Sequence, residues 1–131
     1  MRRQLNPACL LLLAEDVKKD FNEFNQSGST ADYIVIGYIG STWSYAFLNQ
    51  AFNTLKHGAK LMEIHKNKFW QTESGLQMDI GGFVDVLEYA SGVKAMIIGE
   101  PSSDLFQVAL DDMGLESTEV AIIRSNCNGR K

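Results

Sequence analysis

The stretch MIIGEPSSDLFQVAL, residues 96–110, joins a short apolar run to an amphipathic pattern through a turn that contains a proline. The apolar run predicts a buried strand, and the amphipathic pattern predicts a helix that Ser102 or Ser103 can cap. Glu100 adds a carboxylate to the turn. Strands joined to helices by tight turns are typical of α/β folds, and such turns often bind phosphate.

Apolar runs and helical patterns alternate along the rest of the chain in the same way. The predicted strands are residues 9–14, 33–36, 60–64, 94–98 and 120–123. The predicted helices are residues 15–24, a segment that begins at a cap on Ser41 or Thr42 and ends at Gly58, residues 83–90 and residues 105–113. Residues 68–78 are predicted to form a hairpin that turns near Ser74 and Gly75. This alternation predicts a layered α/β fold with a largely parallel sheet.

The composition is that of an ordinary globular chain. Its 131 residues are 45% hydrophobic and 21% charged, with a net charge of -4, and the basic residues are scattered. We therefore expect binding to neither nucleic acid nor a membrane. The apolar run near the N-terminus is too short for a signal peptide or a membrane span, and Cys9 and Cys127 make no disulfide framework. These features favour a cytoplasmic protein.

One long segment carries the pattern of a known family. It is LNQAFNTLKHGAKLMEIHKNKFWQTESGLQMDIGGFVDVLEYASGVKAMIIGEP, residues 48–101. With the helix that follows, it resembles the haloacid-dehalogenase-like (HAD) phosphatases that have a large α/β cap domain. The resemblance covers residues 33–123. It implies a cap-like domain over residues 1–79 and a partial segment of the hydrolase core over residues 80–131.

The resemblance also implies a chemistry. Members of the family use an aspartate nucleophile and a second aspartate two residues later as the general acid and base. A serine or threonine binds the phosphoryl group, a lysine before the proline of a turn neutralises charge, and acidic residues hold Mg²⁺. Such groups suit phosphoryl transfer because negative charge gathers on the oxygens around phosphorus.

This chain departs from the family at each of these positions. No Asp-x-Asp pair occurs in the sequence, Glu100 stands in place of the lysine, and Ser125 and Asn126 stand in place of the acids that bind magnesium. A carboxylate repels a phosphate dianion, and Arg124 repels a divalent cation. We therefore expect a non-catalytic relative or fragment of a phosphatase, with no cofactor and no metal of its own.

The candidate substrate contacts lie in the segment that the resemblance assigns to the cap. They are His65, Lys66, Lys68 and Trp70, which combine basic and aromatic side chains that could contact a phosphate and a ring. The same spacing fits a sheet edge whose side chains alternate between solvent and packing. Asp79 is interpreted as a solvated turn acid or a hinge residue.

Two other functions stay open on the sequence. One is an interaction or oligomerisation module, because the strands at residues 94–98 and 120–123 would lack a neighbour without the nucleophile strand. The expected partner is then a second copy or another protein, bound through the exposed core edge. The other is half of a magnesium-dependent phosphatase that a separate chain completes.

Overall fold

The structure is a computed structural model, and it describes residues 6–28, 30–99 and 103–121. The strands are β1 (Ala8–Leu12), β2 (Asn25–Gln26), β3 (Tyr33–Ile36), β4 (Lys60–Glu63), β5 (Phe69–Thr72), β6 (Gly75–Met78) and β7 (Met96–Ile97). The helices are α1 (Glu15–Lys18), α2 (Tyr45–Lys56), α3 (Ile80–Ser91) and α4 (Ser103–Met113). No helix among these residues is long and apolar enough to cross a membrane.

Five strands form one parallel sheet in the order β2-β1-β3-β4-β7. Strands β1 and β3 are continuous apolar runs, as expected for parallel strands that are covered on both faces. Ile34 and Ile36 in β3 and Leu61 in β4 have no solvent exposure. The α/β fold with a largely parallel sheet is therefore confirmed.

Helices α2 and α3 cover one face of this sheet. Helix α2 is capped by Ser44, whose Oγ accepts the Phe47 N–H at 3.3 Å, and it ends at His57. The predicted caps Ser41 and Thr42 lie instead in a 3₁₀ turn that precedes the helix. Helix α3 ends at Gly92, which has a left-handed φ of 76° that glycine adopts without steric cost.

The main core lies between the sheet and these two helices, and it is continuous across residue 79. Ile80, Val84 and Leu87 of α3 are buried in the same cluster as Leu61 of β4 and Leu55 of α2. Strand β7 pairs with β4 in the same sheet. The division into residues 1–79 and 80–131 thus remains a prediction from the resemblance.

The other face of the sheet is covered less completely. Phe21, in the 3₁₀ turn Lys19–Phe21, packs against the cluster that contains Leu11 and Val35. Met96 of β7 keeps 45% of its surface exposed. This face therefore carries a second, smaller apolar cluster.

Several predicted elements differ in length from the observed ones. The helix predicted over residues 15–24 is a single turn of α-helix followed by a 3₁₀ turn, because the chain must then form β2 beside β1. The strand predicted over residues 94–98 is reduced to Met96–Ile97. The last predicted strand begins at Val120, but Val120 and Ala121 are not in a strand, and residues 122–123 are outside the described residues.

Gly81, in the first turn of α3, packs closely against the loop that follows β4. A Cβ on Gly81 would lie 2.5 Å from the Asn67 carbonyl oxygen, and that oxygen accepts the Gly81 N–H at 3.0 Å. Only glycine permits this approach. The first turn of α3 is therefore fixed against the loop that follows β4.

Candidate functional site

A shallow, open pocket of about 300 Å³ lies beyond the carboxyl ends of β3 and β4. Its lining consists of Tyr38, His65, Trp70 and Asp79. Tyr38 follows β3, His65 follows β4, Trp70 belongs to the antiparallel hairpin β5–β6, and Asp79 precedes α3. The carboxyl ends of parallel strands are where open α/β sheets usually bind ligands.

Two aromatic rings form one side of the pocket. The Tyr38 and Trp70 rings meet edge to face, with centroids 5.6 Å apart and planes at 87°. Each side chain keeps 38% of its surface exposed. The pair therefore offers apolar ring surface to a ligand while each ring supports the other.

Asp79 and His65 supply the polar part of the pocket. Asp79 is the N-cap of α3, and its Oδ1 accepts the Ile80 N–H at 2.7 Å. The same Oδ1 lies 3.3 Å from His65 Nε2. A carboxylate held by a helix terminus thus orients an imidazole at the pocket, an arrangement that can bind or move a proton. Asp79 is only 5% exposed, so the interpretation as a solvated turn acid is wrong.

The structure brings two of the four candidate substrate contacts into the pocket. His65 and Trp70 line it, whereas Lys66 and Lys68 do not. Lys66 Nζ lies 3.3 Å from Asp85 Oδ1 and 3.5 Å from Glu88 Oε2, so its ammonium group is held by α3. The Lys68 side chain is exposed, and its carbonyl accepts the Asp79 N–H at 3.0 Å.

Three further residues named from the sequence cannot be placed. Glu100, Ser125 and Asn126 lie outside the described residues. The approach to this turn is described as far as Gly99. A Cβ on Gly99 would lie 1.7 Å from the Ile64 carbonyl oxygen, so only glycine fits there. The chain therefore passes directly against the end of β4 just before residue 100.

Glu63 at the end of β4 is a feature that the sequence reasoning missed. Its side chain has no exposed surface, and neither carboxylate oxygen has a hydrogen-bond partner among the described residues. Burial raises the pKa of the Glu63 carboxyl; the charges of Lys66 and His65 oppose this, whereas those of Glu88 and Asp85 add to it. The one available signal was a charged residue inside an apolar run.

Lys66 and Glu88 are two of the charged groups that act on Glu63. Glu88 Oε1 accepts the Ala95 N–H at 2.8 Å. Burial raises the pKa of Glu88, but this hydrogen bond and the charges of Lys66 and Lys94 outweigh burial and lower it. Burial likewise lowers the pKa of Lys66, but the hydrogen bond to Asp85 and the surrounding carboxylates hold it above its ordinary value. Lys66 and the carboxylates around it are therefore charged and mutually paired.

The magnesium ion that the resemblance implies needs several oxygen ligands, carboxylates above all. Within the described ranges, no group of three or more His, Cys, Asp or Glu side chains converges on one point. On the resemblance, Ser125 and Asn126 stand at the positions of the family's metal-binding acids, and neither is a carboxylate. The described part of the chain therefore does not offer the set of oxygen ligands that this metal needs.

Curated proteins of similar sequence are phosphatases or hydrolases by name. The human haloacid dehalogenase-like hydrolase domain-containing protein 2 is 36% identical over 126 residues, which are 96% of this chain and 47% of that protein. The mouse phospholysine phosphohistidine inorganic pyrophosphate phosphatase is 33% identical over 121 residues, which are 91% of this chain and 44% of that protein. The chain thus spans about half the length of these relatives. No protein-family model matches it.

Solved structures of similar fold are also phosphatases by title. The H170Y mutant of a thermostable p-nitrophenylphosphatase from Bacillus stearothermophilus superposes with a TM-score of 0.79 at 25% identity, over 88% of this chain and 46% of that one. A 4-nitrophenylphosphatase from Thermotoga maritima gives 0.78 at 22% identity, over 87% and 44%, which bears on the fold alone. These likenesses confirm the resemblance on which the sequence interpretation rests.

Proposed function

Since the chain is related over nearly its whole length to haloacid-dehalogenase-like hydrolases, we propose that it is a substrate-recognition part of a phosphate-ester hydrolase that does not catalyse on its own. The observation that carries the proposal is the pocket of Tyr38, Trp70, His65 and Asp79 at the strand ends. Its aromatic side suits the organic group of a phosphate ester. Its imidazole, with Nε2 against Asp79, can donate a hydrogen bond from Nδ1 to an anionic oxygen when both ring nitrogens carry a proton.

The absence of catalysis follows from the chemistry that phosphoryl transfer requires. The reaction needs a nucleophile in line with phosphorus and cations that stabilise the equatorial oxygens. The sequence has no Asp-x-Asp pair, and Glu100 replaces the lysine of the family's turn. A carboxylate at that turn disfavours a phosphate there. The pocket can therefore hold a ligand that this chain does not cleave.

The experiment has one arm for binding and one for turnover. Calorimetric titration with p-nitrophenyl phosphate should show binding that Trp70→Ala weakens about tenfold, equivalent to about 1.4 kcal/mol. Tyr89→Ala is the matched control, because Tyr89 is 94% exposed on α3 and does not line the pocket. Equal affinities of the Trp70→Ala variant and the wild type would show that the pocket is not the binding site.

The turnover arm uses the same ligand with Mg²⁺. We expect release of p-nitrophenol no faster than in a blank without protein. Release well above the blank, retained after repeated purification, would show that the chain is an enzyme. Turnover that appears only when a second chain supplies an aspartate pair would show instead that this chain is half of a phosphatase.

A second candidate function is an interaction or oligomerisation module, and the surface of α4 favours it. Phe106, Leu110 and Met113 line an apolar groove together with Val120, and Met113 keeps 53% of its surface exposed. An exposed apolar groove of this kind favours association. Size-exclusion chromatography with light scattering should then show a dimer that Met113→Lys dissociates.

The control for this second candidate is Val108→Lys on the same helix. Val108 is 67% exposed but does not line the groove, so its substitution should leave the dimer intact. A wild-type monomer at high protein concentration would contradict self-association.

A cytoplasmic location is the last part of the proposal. The sequence supports this location because it has no disulfide framework, and fractionation of cells would test it.

A further inference from the structure

The side chain of Glu63 has an environment that is unusual for a carboxyl group. It lies on the helix-covered face of the sheet at the end of β4, where its neighbours in register are Ile36 of β3 and Ile97 of β7. It has no exposed surface, and within the described ranges both oxygens lack a hydrogen-bond partner. Buried polar groups are normally hydrogen-bonded, so each exception calls for an explanation.

The charged groups around Glu63 come from two elements. His65 and Lys66 belong to the loop after β4, and Asp85 and Glu88 belong to α3. Lys66 is at present paired with both α3 carboxylates, at 3.3 and 3.5 Å. Asp85 keeps 67% of its side chain exposed. The pair with Asp85 is therefore screened by solvent and weak, whereas the side chain of Glu88 is only 10% exposed.

The loop that carries Lys66 also holds the pocket. The Asn67 carbonyl accepts the Gly81 N–H, and the Lys68 carbonyl accepts the Asp79 N–H, each at 3.0 Å. The next residues form β5, which contains Trp70. A shift of the loop backbone at Lys66 would therefore act on the N-terminus of α3, on Asp79 and on the aromatic side of the pocket.

We propose that Glu63 is a pH-sensitive switch of this pocket: it is neutral in the packed state, and its ionisation draws Lys66 away from α3 and shifts the loop of residues 64–68 with Trp70. A buried carboxylate is stable only with a counter-ion, and Lys66 is the cation best placed to become one. The switch does not depend on whether the pocket binds a phosphate ester.

The direction of the switch follows from burial. Because burial raises the pKa of Glu63 above its ordinary value of 4.5, the neutral form persists at pH values where an exposed glutamate is ionised. The packed pocket is therefore the form at lower pH. The shifted loop is the form that appears as the pH rises through the raised pKa.

The experiment follows Trp70 by fluorescence. Trp43→Phe removes the other tryptophan while keeping a ring stacked on Phe83, whose centroid lies 4.2 Å from that of Trp43. In this background, emission and acrylamide quenching of Trp70 should show one transition between pH 4.5 and 9. Glu63→Gln should abolish the transition, whereas Glu73→Gln, a change in the exposed hairpin turn, should preserve it.

Two further measurements separate the alternatives. In the Trp43→Phe protein, the ¹³C resonance of the Glu63 carboxyl should titrate with the same midpoint as the Trp70 signal, which needs no variant at Glu63. His65→Asn should retain the transition. A transition that survives Glu63→Gln, one that disappears with His65→Asn alone, or the lack of any transition in the Trp43→Phe protein would each overturn the proposal.

Discussion

Asp79 has contacts both with helix α3 and with the pocket. Asp79 caps α3 through the Ile80 N–H and also lies within 3.3 Å of His65 at the pocket. Its own N–H is donated to the Lys68 carbonyl at 3.0 Å. One aspartate therefore joins the helix, the loop and the pocket, and its removal should affect stability as well as binding.

Asp79→Ala should lower the free energy of unfolding by about 1 kcal/mol, because the N-cap hydrogen bond is lost. Asp79→Asn should retain most of this stability, since asparagine caps helices as well as aspartate does. Urea unfolding followed by circular dichroism measures both variants. The control is Asp112→Ala at an exposed position of α4; an Asp79→Ala variant no less stable than this control would contradict the role of the cap.

Glu63 gives the stability of the protein a defined pH dependence. Its pKa is higher in the folded than in the unfolded state, so the folded state binds more protons and the free energy of unfolding falls as the pH rises from about 4.5 through the folded-state pKa. Each unit by which the pKa of Glu63 is raised corresponds to about 1.4 kcal/mol in the free energy of unfolding. Glu63→Gln should remove this slope and be the more stable protein at pH 8. Urea unfolding at several pH values measures it, and parallel slopes in the two proteins would refute the assignment.

At the scale of elements, helix α3 contributes most to the arrangement of the site. Its N-terminus lies against the loop after β4, its buried side packs on the sheet, and its Glu88 holds the Ala95 N–H before β7. Phe83 stacks on Trp43, with ring planes at 8° and centroids 4.2 Å apart, which fixes α3 against the start of α2. The sequence predicted this helix over residues 83–90 only, whereas the helix spans Ile80–Ser91 and buries Ile80, Val84 and Leu87.

Leu87→Ala should destabilise the protein by about 2–5 kcal/mol, since Leu87 is 1% exposed and its removal leaves a cavity in the main core. Val86→Ala, on the same helix at a position that is 51% exposed, should change stability by about 0.5 kcal/mol or less. Thermal and urea unfolding of the pair measure the difference. Similar losses in both variants would show that α3 does not pack as described.

At the scale of the whole molecule, the main core includes residues on both sides of Asp79. Ile80, Val84 and Leu87 are buried with side chains of β1, β3, β4 and α2, and β7 completes the sheet beside β4. A core shared in this way should fold as one cooperative unit. The family resemblance instead predicts a domain boundary between residues 79 and 80.

A fragment of residues 1–79 should fail to fold cooperatively, because it lacks the helix that covers Leu61 and the edge strand β7. The full chain should unfold with coincident transitions in tryptophan fluorescence and circular dichroism. Native-like amide protection in the isolated fragment, or two separate transitions in the full chain, would support two independent units instead.

The sequence by itself determined the α/β class, the order of the main elements and the hairpin turn at Gly75, whose φ is 119°. These features depend on short-range properties, namely the period of apolar residues and the conformations that glycine allows. Tertiary structure alone decided that Tyr38 and Asp79 meet at one pocket and that Glu63 is sealed from solvent. Both outcomes depend on how β3, β4 and α3 pack together, and distances between residues so far apart along the chain are set by that packing rather than by local patterns.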